Sequence, residues 1–127
     1  MSVAIETLSL EKIAEYRFTA IQRQKTRIPS AKTRMKKGWR LARKAAKILR
    51  ENYHAKRVVV FGSLLSEKRF NQWSDVDVAA WDISPDLTFR AIGAIMDLDS
   101  SLVVNLVDVN SCPPALLETI EKEGMDI

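Results

Sequence analysis

The chain has 127 residues, a net charge of +4 and 46% hydrophobic residues, which suits one domain of ordinary size. Its single cysteine excludes a disulfide framework and a zinc site built from several cysteines. No apolar run approaches the roughly 20 residues of a membrane span, and the first residues lack the basic-then-apolar pattern of a secretory signal. We therefore expect a reduced, cytoplasmic protein with no membrane partner.

The charge is divided unevenly along the chain. Residues 1–57 hold 16 Lys or Arg and 4 Asp or Glu, whereas residues 58–127 hold 4 and 12. This asymmetry indicates either two surfaces with different tasks or one surface that neutralises the other.

The first half of the chain predicts two helices. One runs from Leu8 to about Arg27, where Pro29 interrupts the pattern, and the next runs from Ser30 to about Tyr53. The second helix has an apolar stripe and an opposite basic face, formed by Lys36, Lys37, Arg40, Arg43, Lys44, Lys47 and Arg50. Three interpretations of this face stay open: a solvated surface, a dock for acidic protein (a partner or the acidic half), and nucleic-acid binding. The last has least support because neither interleaved aromatics nor a helix-turn-helix pattern accompanies the charges.

The second half changes to alternating strands and helices. We interpret Phe70 and Trp73 as anchors of an ordered loop over residues 66–74, rather than as base-stacking platforms. Proline and serine mark the helix starts, and Gly124 ends the last helix. The predicted elements are a buried strand Val58–Phe61, a strand Asp75–Trp81, a helix from Ser84 to about Leu98, a strand Leu102–Val109 and a helix opened by Pro113 and Pro114.

One stretch carries recognisable chemistry: Gly62-Ser63, eleven residues, and then Asp75 and Asp77. Two carboxylates two positions apart on a strand leave the same face, where they can converge on Mg²⁺, which prefers oxygen ligands and bridges to nucleotide phosphates. A Gly-Ser turn after a buried strand offers amides and a hydroxyl to a phosphate. A third carboxylate from the neighbouring strand would complete a site suited to phosphoryl or nucleotidyl transfer.

These residues resemble the signature of the polymerase-β nucleotidyltransferase superfamily. The segments around Gly62-Ser63 and Asp75-x-Asp77, and the end of the chain from Val104 onward, are similar to its minimal nucleotidyltransferases, the MNT proteins. The resemblance covers residues 57–127. It implies an α/β fold, with a small mixed sheet of the nucleotidyltransferase type flanked by helices and preceded here by a basic helical extension.

The resemblance also implies a set of site residues. Asp75 and Asp77 would hold Mg²⁺ or Mn²⁺, and Gly62 and Ser63 would bind the phosphates of ATP. The family places a third acid on the following strand, where Asn105 stands in this chain. We assign that metal-binding and catalytic role to Asp108; otherwise the site has only two acids and is weakened.

We therefore predict a basic helical extension over residues 1–55 and a nucleotidyltransferase domain over residues 56–127. The expected reaction is Mg²⁺-dependent transfer of a nucleotidyl group, AMP, from a nucleoside triphosphate to a hydroxyl. By resemblance the partner is a HEPN-type toxin, with this protein as its antitoxin. The alternative is a catalytically weak module that keeps the nucleotide-binding shape and acts by binding its partner.

Overall fold

The computed structural model describes residues 30–127 of the chain. The predicted helix from Leu8 to Arg27 lies outside the described residues. Within them, the helices are α1 (Ala31–Tyr53), α2 (Thr88–Met96) and α3 (Pro114–Glu123), with short 3-10 helices at Gly62–Leu65 and Val109–Ser111. The strands are β1 (Arg57–Phe61), β2 (Val76–Trp81), β3 (Val104–Asp108) and β4 (Met125–Asp126).

The four strands form one mixed sheet in the order β3-β2-β1-β4. Strand β1 pairs antiparallel with both β2 and β4, whereas β2 and β3 are parallel. A parallel pair needs a crossover between its strands, and α2 supplies it. The predicted small mixed sheet flanked by helices is confirmed.

Helices cover both faces of the sheet, which explains the apolar character of its central strands. On one face, α1 and α2 pack over a cluster that includes Val58, Val60 and Val78. On the other face, α3 covers a smaller cluster that includes Val59 and Ala79. Side chains of both parities in β1 and β2 are therefore buried, as expected for strands without alternating polarity.

Helix α1 lies close to the sheet because its inner face carries small residues. Gly38, Ala42, Ala45 and Ala46 are buried there. A Cβ added to Gly38 would lie 2.8 Å from Leu64 Cδ1 and 3.2 Å from a methyl group of Val76. Helix α1 belongs to the compact unit Ala31–Ile127. The division into a basic extension over residues 1–55 and a catalytic domain over residues 56–127 stays a prediction.

The C-terminal strand β4 was not predicted, because two residues show no periodicity. It pairs with Val59 and Val60 at the edge of the sheet. The Arg57 guanidinium secures this edge: its Nε lies 2.7 Å from Asp126, its NH1 lies 2.9 Å from Glu121, and it stands 4.4 Å over the Trp81 ring centroid. No helix in residues 30–127 is long and apolar enough to cross a membrane.

Two helical glycines provide a matched test of this packing. We expect Gly38→Val to lower the free energy of unfolding by roughly 1–3 kcal/mol, because the added methyls meet a filled core. Gly93 of α2 has open space where its Cβ would be, so Gly93→Ala should raise stability by roughly 0.5–1 kcal/mol through helix propensity. Urea denaturation measures both. A tolerated Gly38→Val would contradict the close contact between α1 and the sheet.

Candidate functional site

The structure brings Asp75 and Asp77 together at the start of β2. They flank Val76, which is fully buried, and both are half-buried themselves. Because alternate residues of a strand leave opposite faces, burying Val76 beneath α1 directs its two neighbours to the other side. The carboxylates thus share one face, as the spacing predicted.

Asn105 joins the two carboxylates from the neighbouring strand. In the parallel register of β2 and β3, Asn105 lies opposite Asp77. Its Nδ2 group donates to Asp77 Oδ1 at 3.3 Å and to Asp75 Oδ2 at 3.4 Å. An amide N–H group therefore occupies the space between two acceptors that would otherwise repel each other.

The environment makes Asp77 a perturbed carboxyl group. Burial raises its pKa above the ordinary value, the hydrogen bond from Asn105 opposes this shift, and the negative charge of Asp75 adds to it. A cation bound here would stabilise the ionised form of Asp77, because its charge offsets both the lost hydration and the repulsion from Asp75.

The Gly-Ser turn lies directly against this carboxylate. Gly62 has φ +78°, a conformation that side chains disfavour, and a Cβ at this position would lie 2.7 Å from Asp77 Oδ2. Ser63 follows in a short 3-10 helix, and its hydroxyl makes no hydrogen bond to any residue of 30–127. The predicted phosphate cradle and the predicted metal ligands therefore adjoin.

Asp108 is not brought to this site, which corrects its assignment as the third ligand. It pairs with Ala80, three positions beyond the Asp77–Asn105 pair, which is about 10 Å along the strand. Its carboxylate instead caps the 3-10 helix that follows, accepting from the amide of Asn110 at 3.1 Å, and accepts from the Thr88 hydroxyl at 3.2 Å. Asn105 and Asp108 have opposite parity on one strand, so only one of them can face the carboxylate pair.

Two cations of α1 hold the loops that lead into the site, a role that the charge pattern alone did not predict. Arg34 donates to the carbonyl of Ser74, which precedes Asp75, at 3.1 Å, and to the carbonyl of Ser101 at 3.0 Å. Lys37, predicted to lie on the basic face, instead lies 3.0 Å from Asp99. Arg34 and Lys37 differ from the other cations of α1 in being turned toward the sheet, and the sequence of the helix alone does not show this.

The side chains at this site suit one cation that is bound by two carboxylates and by substrate phosphates, and not a centre with three acidic ligands. No group of three acidic, histidine or cysteine side chains among residues 30–127 is placed to hold a metal. Mg²⁺, however, is commonly held by one or two carboxylates together with substrate phosphates. Asp75 and Asp77 meet that requirement, and Gly62 lies directly against the Asp77 carboxylate.

Comparison with known proteins identifies the fold. No protein-family model matches the sequence, and no curated protein is similar to it. Solved structures are similar, however, and each match covers 70% of the chain in the solved structure. A MntA–HpeT toxin–antitoxin mutant, with two aspartates two positions apart changed to glutamate, is 19% identical over 67% of this chain with a TM-score of 0.54. A toxin–antitoxin with AMP-PNP is 24% identical over 67%, with a TM-score of 0.53.

A third similar structure is the tri-AMPylated HEPN toxin of Shewanella oneidensis in complex with its MNT antitoxin, at 23% identity over 70% of this chain and a TM-score of 0.50. At such identities the likeness concerns the fold. The chain has the minimal nucleotidyltransferase fold, which confirms the predicted resemblance at this level.

The raised pKa of Asp77 predicts a pH-dependent effect of Asp77→Asn. Below the unfolded-state pKa of about 3.9 the wild-type carboxyl is protonated and its burial costs little. As pH rises through the raised folded-state pKa, wild type loses stability that the neutral asparagine retains. Without nucleotide or divalent cation, the stability gained by Asp77→Asn should therefore be larger near neutral pH than at about pH 4.

Urea unfolding at the two pH values measures this difference. Asp97→Asn is the control, because it removes the same charge from an exposed position. A gain from Asp77→Asn that is equal at both pH values would show that ionisation of this carboxyl carries no burial cost.

Proposed function

We propose that this protein is a cytoplasmic, nucleotide-dependent antitoxin. It binds a nucleoside triphosphate, ATP, with Mg²⁺ and transfers the nucleotidyl group to a hydroxyl of a HEPN-type toxin. The observation that carries the proposal is the approach of Gly62 to Asp77, within a fold shared with MNT antitoxin structures. That contact unites a phosphate-binding turn with the acidic pair.

Each site residue then has a defined task. Asp75 and Asp77 hold Mg²⁺, which when bound offsets the charge of the phosphates. Gly62 lets the backbone approach a phosphate closely, and Ser63 donates its hydroxyl to a phosphate oxygen. In the transfer, the acceptor hydroxyl loses its proton to water and its oxygen bonds to the α-phosphorus, while the bond from the α-phosphorus to the oxygen that bridges to the β-phosphate breaks and pyrophosphate leaves.

The partner is inferred from the similar structures. One of them joins an MNT antitoxin to a HEPN toxin that carries AMP, and another contains AMP-PNP, an analogue of ATP. Together they support a nucleotide at the site of this chain, and the first supports a HEPN-type protein as the acceptor.

Asn105 favours a second candidate, neutralisation of the toxin by contact with little turnover. It stands beside Asp77 where a third acid would have to project in this register. An amide is neutral, and here it donates to the carboxylates instead of adding a third negative charge. The site then keeps nucleotide binding but lacks the charge that would help to remove the proton of the acceptor hydroxyl.

Labelled ATP and the HEPN-type partner distinguish the two candidates. Transfer of label should require Asp77, so Asp77→Asn should reduce it by at least a factor of about 100 if the cation supplies several kcal/mol. Asn105→Asp should increase it, because a third carboxylate is restored beside the pair. Asp108→Asn is the matched control, since Asp108 lies at the far end of β3 and should leave transfer unchanged.

The same assay identifies failure. Label transferred equally well by Asp77→Asn would contradict the assignment of the site. A wild-type protein that transfers no label yet inhibits the toxin would establish the contact mechanism. Loss of transfer in Asp108→Asn would return that residue to the catalytic set.

Nucleotide binding can be tested separately from transfer. We expect Gly62→Ala to weaken Mg-ATP binding by about tenfold or more, because its Cβ would displace the Asp77 carboxylate and the backbone would be strained. Isothermal calorimetry measures the affinity, and circular dichroism checks that the variant folds. Wild-type affinity in a folded Gly62→Ala protein would exclude a close approach of phosphate at this turn.

A further inference from the structure

Trp73 is a large aromatic side chain left in solvent beside the proposed site. It is 79% exposed, whereas Phe70 of the same loop is 3% exposed. Phe70 packs in the core beneath α1 and so anchors the loop as predicted. Trp73 does not, and its indole belongs to neither hydrophobic cluster of residues 30–127.

The backbone under Trp73 is fixed, so its exposure is a property of an ordered loop. The Trp73 amide donates to Asn71 Oδ1 at 2.8 Å, and the Asn71 amide donates to the Ser74 hydroxyl at 2.9 Å. The Ser74 carbonyl in turn accepts from Arg34 at 3.1 Å. A ligand that used this ring would pay little to order it, which favours binding.

Most of the indole surface is open to solvent. The other two tryptophans each have a guanidinium over the ring, that of Arg43 at 5.8 Å from the Trp39 centroid and that of Arg57 at 4.4 Å from the Trp81 centroid. Trp73 has no such contact within the part of the chain that the structure describes. An open π face on a rigid backbone suits a flat ligand.

The position of Trp73 relates it to the phosphates. It precedes Asp75 by two residues, so their Cα atoms are at most about 7 Å apart. A nucleotide whose phosphates lie at Asp77 and Gly62 carries its base only one ribose away. The loop that carries the indole therefore leads directly into the acidic pair.

We infer that Trp73 stacks on the nucleobase of the triphosphate. The inference rests on the proposed function and deepens it, because it assigns recognition of the base to a residue outside the acidic pair and the Gly-Ser turn. Stacking depends on a π face and not on base-edge hydrogen bonds. Trp73 thus selects a nucleotide over a bare phosphate chain, with little choice among purines.

The test compares Mg-ATP with inorganic triphosphate and Mg²⁺, using calorimetry on the full chain. We expect Trp73→Ala to weaken ATP binding about tenfold, the size of one lost stacking contact, and to leave triphosphate binding unchanged. Trp73→Phe should keep most of the affinity, since a smaller π face remains. Phe89→Ala is the matched control, because Phe89 is 87% exposed and follows Thr88, which contacts Asp108 at the far end of β3.

The other outcomes overturn the inference in distinct ways. Equal losses for both ligands would mean that Trp73 shapes the phosphate site and not the base site. Unchanged affinity for both ligands would remove Trp73 from the site and leave the proposed function standing, and weakened binding of the HEPN-type partner alone would make Trp73 a protein contact. A wild-type protein that binds neither ligand would overturn the proposed function and this inference together.

Discussion

The parallel pairing of β2 with β3 determines the chemistry of the acidic pair. In this register Asp77 lies opposite Asn105, and this pairing fixes the partner of each further residue along the two strands. Because side chains alternate between faces, a shift by one residue would turn Asn105 away and replace it with an apolar neighbour. The charge available beside Asp77 is thus a consequence of strand pairing, which a catalogue of acids in the sequence does not contain.

Contacts from α1 stabilise that register where β2 and β3 begin. Arg34 binds the carbonyls of Ser74 and Ser101, the residues that lead toward β2 and β3, and Lys37 pairs with Asp99 in the second of these loops. The small buried face of the helix, with Gly38 against the core, brings these cations near enough to act. Part of the basic half therefore neutralises part of the acidic half, one of the interpretations that the charge pattern left open.

Local patterns predicted the parts of the site that depend on one strand or one turn. The spacing of Asp75 and Asp77 was enough to place them on one face, and Gly62 was recognisable because it ends a buried strand. The third position depends on pairing between segments about 30 residues apart, so the sequence could not decide between Asn105 and Asp108. The exposure of Trp73 was hidden for the same reason, since only tertiary packing shows that Phe70 is buried in the core and Trp73 is not.

The Asn105 amide competes with cations for the two carboxylates of the acidic pair. The amide already binds both carboxylates, so an entering ion must replace two N–H donors as well as hydration. With two formal charges instead of three, the pair attracts a bare divalent ion less strongly, and phosphate must contribute the remaining ligands. In the proposed function, occupancy of such a site would follow the concentration of the metal–nucleotide complex more than that of the free metal.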